Sequence, residues 1–152
     1  MKYITLLFLL SISQAVLANK CVELLQKQDY YEAVNECSSM AKKGEKNAQF
    51  SLAILYYQGN GVMSDMGEAQ KWMRKSAQQN HNQAQYNLGI MLANGQGSDV
   101  DLVDAYAWLK IAAENGYSEA ENSVRQLGEE LSSGEKEEAN KRIELIKKEF
   151  KR

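Results

Sequence analysis

Few residues of this chain have types that could do chemistry. There are two cysteines and one histidine in 152 residues. Cys21 and Cys37 lie at equal distances on either side of Asp29. A turn is expected near Gln28-Asp29, and positions equidistant from the turn of an antiparallel helix pair face each other. A structural disulfide is therefore expected if the chain meets an oxidising compartment, with two buried thiols as the alternative. The spacing is unlike a redox C-x-x-C. No His lies near either Cys in sequence, so a nucleophilic thiol is not expected. His81 is expected in a solvated turn, with no evident partner for a serine triad. Two Cys and one His do not furnish the four ligands of a structural zinc site. No cofactor is expected. Gly59-Asn60-Gly61 and Gly95-Gln96-Gly97 lack a preceding strand and a P-loop Lys, so they are turn elements and not phosphate cradles. Adjacent acids such as Glu129-Glu130 and Glu137-Glu138 point apart on a helix and are solvated faces.

The elements that must position these residues come from a 36-residue period. Ala33, Ala69 and Ala105 align, as do Ala41, Ala77 and Ala113, and Ala48, Ala84 and Ala120. Leu52, Leu88 and Val124 form a further column, and Leu55, Met91 and Leu127 another. Asp29, Asp65 and Asp101 share one column, with Glu32, Glu68 and Asp104 three places on. A short acceptor followed by an acid at that distance marks a helix start. The apolar positions Ala69, Trp72, Met73, Ser76 and Ala77, matched by Ala105, Trp108, Leu109, Ala112 and Ala113, follow at helical intervals. Trp72 and Trp108 recur at a packing column, which favours core over a ligand cage. Lys43-Gly44, Gln79-Asn80 and Asn115-Gly116 offer left-handed C-caps. The first helix of each pair is expected to begin near Asn47, Gln83 and Ser118. Gly89 sits inside such a helix, where it costs roughly 1 kcal/mol in propensity, so a close helix approach is expected there.

Ala84-Gln85-Tyr86-Asn87-Leu88-Gly89, then Gly95-x-Gly97, Asp101, Ala105, Trp108 and Ala112-Ala113-Glu114-Asn115-Gly116, resemble the Sel1-like repeat (SLR), a relative of the tetratricopeptide repeat. A second copy has Gly61-Val62, Asp65, Ala69, Trp72 and Ala77. The resemblance implies an all-α right-handed α-α superhelix, a short solenoid of antiparallel helix pairs. It divides the chain into a degenerate first pair at 19–46, repeats at 47–82 and 83–118, and terminal and capping helices at 119–152. It also implies that the first helix of each pair lines a concave groove. The matching residues are Asn47, Phe50, Ile54 and Tyr57, then Gln83, Tyr86, Ile90 and Asn94, then Asn122. Aromatic and aliphatic groups flanked by amides suit a peptide or helix. Phe50, Tyr57 and Tyr86 could equally pack against adjacent repeats.

The two ends differ from the repeats. Lys2, the apolar residues 4–10 and Val16-Leu17-Ala18 follow the order of a secretory signal peptide spanning 1–18. The apolar run is too short for a membrane span, so no span is expected after cleavage. An uncleaved anchor is the alternative, and Asn19-Lys20 before Cys21 disfavours a lipoprotein. The expected mature chain is periplasmic or secreted. At the other end, Ser132 with Glu135 forms a capping-box pattern. Ala139, Ile143, Ile146 and Phe150 form an apolar stripe, as a capping helix requires. The balance of 18 Lys+Arg against 20 Asp+Glu gives no basic stripe for nucleic acid. The expected function is an exported, non-enzymatic module that binds another protein or peptide as adaptor, envelope regulator or host-contact factor. Alternatives are a cell-wall-related hydrolase of the cysteine-rich repeat type, although the chain lacks a Cys pair in each repeat, or a structural subunit of an envelope complex.

Overall fold

The structure is a computed structural model that describes residues 20–150. The expected signal peptide lies outside the described residues. Those residues form eight helices and no strand. Helix α1 occupies 20–26. It is followed by α2 (Tyr30–Lys42), α3 (Lys46–Gln58), α4 (Met66–Gln78), α5 (Asn82–Ala93), α6 (Leu102–Glu114), α7 (Glu119–Glu130) and α8 (Ser133–Glu149). From α2 to α7 each helix packs on the next in sequence, whereas α8 turns back onto α6. The result is a helical repeat solenoid. Among the described residues no helix is long and apolar enough to cross a membrane.

The helix starts follow the acid column at two of three places. The Asp65 side chain accepts from Glu68 N at 2.9 Å, and that of Asp101 from Asp104 N at 2.8 Å. Asp29 departs from the expectation and makes no side-chain cap bond. Its φ is −81°, against −141° at Asp65 and −132° at Asp101, so its carboxylate is not set over the first turn. Helix ends behave as their residues suggest: Gly44, Asn80 and Gly116 have φ of 95°, 59° and 87°. In the first pair, which lacks a glycine loop, Gln28 takes the left-handed conformation at 59°.

The alanine columns give the closeness of the packing. Ala33, Ala69 and Ala105 are fully buried, as are Ala77 and Ala84. Larger neighbours fill the space between them: Leu52, Leu88, Met73, Leu109 and Trp108 are at most 2% exposed, each worth roughly 1.5–3 kcal/mol of burial or more. Gly89 is where two helices touch; an added Cβ would lie 2.6 Å from Leu109 Cγ and 3.1 Å from Ala105 O. The second glycine of each loop is used to stack repeats. A Cβ on Gly61 would lie 2.3 Å from Tyr30 O, and on Gly97 2.3 Å from Met66 O. Their φ values of +71° and +94° also favour glycine. Each loop thus rests its backbone on the first turn of the preceding pair's second helix.

Cys21 and Cys37 form a disulfide that joins α1 to α2. The 16-residue separation corresponds to about 3 kcal/mol of denatured-chain entropy. At the other end α8 opens with a complete Ser132–Glu135 capping box. It buries Ala139 and Ile143 and lays Phe150 6.4 Å from the Trp108 ring. Arg142 Nη1 reaches Asp104 at 3.5 Å, and Lys147 pairs with Glu114 at 2.5 Å, so ion pairs between α8 and α6 flank the apolar stripe.

Candidate functional site

The repeats meet at joints built from buried amides and stacked rings. Gln49 and Gln85 occupy the same column and are 4% and 0% exposed. A buried amide without partners would cost about 1–3 kcal/mol, and both have them. Gln49 Nε2 donates to Ala41 O at 3.2 Å, and its Oε1 accepts from Gln79 Nε2 at 2.7 Å. One period on, Gln85 Nε2 donates to Ala77 O at 3.2 Å, and its Oε1 accepts from Asn115 Nδ2 at 2.9 Å. Each Gln thereby ties the end of the preceding helix to the end of the following one. Beside each tie lies an aromatic stack. Phe50 lies on His81 with ring centroids 4.7 Å apart, and Tyr86 on Tyr117 at 5.0 Å.

His81 is not the solvated turn residue expected from sequence. It caps α5, with Nδ1 accepting from Ala84 N at 3.2 Å. Burial, and then the positive charge of Lys46, push its pKa below the ordinary 6.5. Burial pushes the Tyr117 phenol above its ordinary 10.0, helped by Glu119 and Tyr86.

Next to this joint is a pocket of about 160 Å³ lined by Ile54, Tyr57, Met73, Asn87, Ile90, Met91 and Gln96. Tyr57 is 38% exposed at its edge, and its Oη accepts from Gln96 Nε2 at 3.1 Å. An apolar floor with two amides on the wall can take an uncharged side chain and pair with a neighbouring peptide group. Among the described residues no group of three or more His, Cys, Asp and Glu side chains is placed to hold a metal ion.

The structure therefore divides the nine expected groove residues. Ile54, Tyr57 and Ile90 share the pocket. Phe50 and Tyr86 are half-buried in the stacks with His81 and Tyr117, so most of their ring area packs against the neighbouring repeat. Asn47, Gln83 and Asn94 are exposed outside the pocket. Asn122 is exposed and accepts from Arg125 Nη2 at 2.9 Å. Sequence reasoning missed Met73, Met91, Asn87 and Gln96 as pocket walls, because they lie on the second helix, the inner helix face and the loop. It also missed Gln49 and Gln85. Their recurrence one period apart, beside a matching Gln79 and Asn115 column, was a signal that could have found them.

The model of the Sel1 repeat matches residues 46–81 and 82–117. A protective antigen present in uropathogenic Escherichia coli strains, which displays an SLR fold, is similar in structure with a TM-score of 0.83 and 28% identity, over 90% of this chain and 30% of that one. A Sel1 repeat protein from Oxalobacter formigenes is similar with a TM-score of 0.61 and 34% identity, over 62% of this chain and 39% of that one. The chain thus spans well under half the length of either. Among curated proteins none matches. The 36-residue joints and the two consecutive matches lead to one conclusion: residues 46–117 are two Sel1 repeats, and the chain is a Sel1-like repeat protein.

Proposed function

We propose that the chain is an exported, non-enzymatic interaction module that binds a protein or peptide through its concave groove. Sel1 repeat proteins generally mediate protein–protein interaction, and the repeat fold is typically a scaffold without catalysis. The observation that carries the proposal is the pocket between the repeats, where Ile54, Tyr57 and Ile90 converge with Asn87 and Gln96. An apolar anchor enters it, and the amides pair with the partner backbone. The disulfide supports a periplasmic or secreted location, since such bonds persist in oxidising compartments. The partner is then met outside the cytoplasm, as an adaptor, an envelope regulator or a host-contact factor meets it.

The test is a photo-crosslinking side chain placed at Tyr57 and, as control, at Lys75 on α4. Adducts with one defined protein at Tyr57, absent at Lys75 and lost with Ile90→Asp, support the groove. Equal adducts at both positions argue for a different face. Fractionation of cells making the full chain tests export separately: a mature N-terminus following Ala18 outside the cytoplasm is the expected result.

A further inference from the structure

We propose that His81 is a pH-sensitive cap at the joint between the two Sel1 repeats: neutral, it caps α5 while stacked on α3, and protonated, it releases the cap. The geometry carries this. His81 stands at the N-terminus of α5, and Nδ1 accepts the Ala84 amide proton at 3.2 Å. An accepting Nδ1 requires the neutral ring with its proton on Nε2. Protonation turns Nδ1 into a donor, so the cap bond is lost. It also places a cation at the positive end of the helix dipole.

The second partner of the ring is α3. Phe50 lies face to face with the imidazole, at 4.7 Å and an interplanar angle of 17°. The same helix supplies Lys46, the one charged side chain found to act on the ring among the described residues. The end of α4 and the α6 cap present amides beside it: Asn80 and Asn115 are bound to each other and to Gln85. No carboxylate among them compensates an imidazolium. Burial and Lys46 both favour the neutral ring, and the pKa is lowered accordingly.

The repeat supplies an internal control. Tyr117 fills the same slot one period on and lies against Tyr86 with the two rings tilted by 34°. Its phenol, with a raised pKa, stays neutral throughout acid and neutral pH. The first helices of the other units, α3 and α7, have no side-chain cap bond. The device is therefore confined to the joint between residues 46–81 and 82–117. The sign follows from the lowered pKa. The cap is fully in place above about 6.5, the unfolded value, and is lost as pH falls through the lower folded value.

The experiment uses the full chain and two-dimensional NMR from about pH 7.5 to about 4.5. The His81 ring should titrate with a midpoint below 6.5. The Ala84 amide shift should move with the same midpoint, whereas that of Ala120 should not follow it. His81→Asn keeps a capping acceptor that does not titrate, so it should fold and abolish the Ala84 transition. Lys46→Gln, at an exposed position, should raise the ring midpoint without abolishing the transition. A ring midpoint at or above 6.5 in the unmodified chain overturns the proposal. So does an Ala84 transition that persists in His81→Asn.

Discussion

In residues 46–81 the Trp72 indole donates from Nε1 to Glu68 at 3.0 Å. One period on, Trp108 Nε1 is buried with no partner among the described residues. The column explains the difference: Asp104 stands where Glu68 does and is one methylene shorter. Its carboxylate is also engaged elsewhere, with Arg74 at 3.2 Å and Arg142 at 3.5 Å. The first repeat satisfies its own Trp. The second leaves its Trp unpaired and uses the acid to link α4, α6 and α8. Other features are the same in both repeats, including the glutamine ties and the glycine that rests on the preceding pair. Side chains that join repeats are thus repeated, and side chains at the edge of a repeat are free to be reassigned.

The strongest test of the shared part is the glycine contact. Gly61→Ala and Gly97→Ala should each lower unfolding stability by about 3 kcal/mol, since a Cβ at positive φ would meet a backbone carbonyl that cannot swing away. Denaturant midpoints of the two variants measure it. A cost below 1 kcal/mol at Gly97 would mean that the loops do not set the repeat spacing. The next effect is at the ties. Gln85→Leu should cost about 2 kcal/mol, because Ala77 O and Asn115 lose their partner in a fully buried site. Gln49→Leu should cost somewhat less, having one tie fewer. Thermal unfolding of the two, compared directly, tests that order.

The divergent part gives smaller effects. Asp104→Glu should let the Trp108 indole find an acceptor, as Trp72 does, and move its Nε1–H resonance downfield. Stability should change by less than about 1 kcal/mol, because the partly exposed arginine pairs that it disturbs are weak. An unmoved indole resonance would show that side-chain length is not the reason for the orphan. The smallest effect lies at the start of α8. The Asp65 and Asp101 column continues at Glu137, yet the helix is capped at Ser132. Hydrogen bonds from the Ser132 side chain and backbone hold the Glu135 carboxyl below its ordinary 4.5. Its contribution is present above that value and fades as pH falls through the lower folded one. Amide shifts at the α8 N-terminus should report this titration, and Ser132→Ala should move it back toward 4.5.

The sequence alone determined the period, the helix pairs and the core columns, and it pointed to the disulfide with two buried thiols as the alternative. These are legible because each rests on local rules, such as caps, helical spacing and turn glycines, repeated at one interval so that each copy corroborates the other. Of the expected groove lining, only the packing is decided by the structure. Ile54, Tyr57 and Ile90 share a pocket because Met73 and Met91 close its floor, whereas Phe50 and Tyr86 are covered by rings about thirty residues away in the chain. The tertiary structure decided the partners of Gln49 and Gln85, the stacking of His81 on Phe50 and the fold-back of α8 onto α6. It also decided the loss of a partner at Trp108. All of these depend on groups brought close only when one repeat stacks on the next, and no local spacing rule encodes a partner one period away.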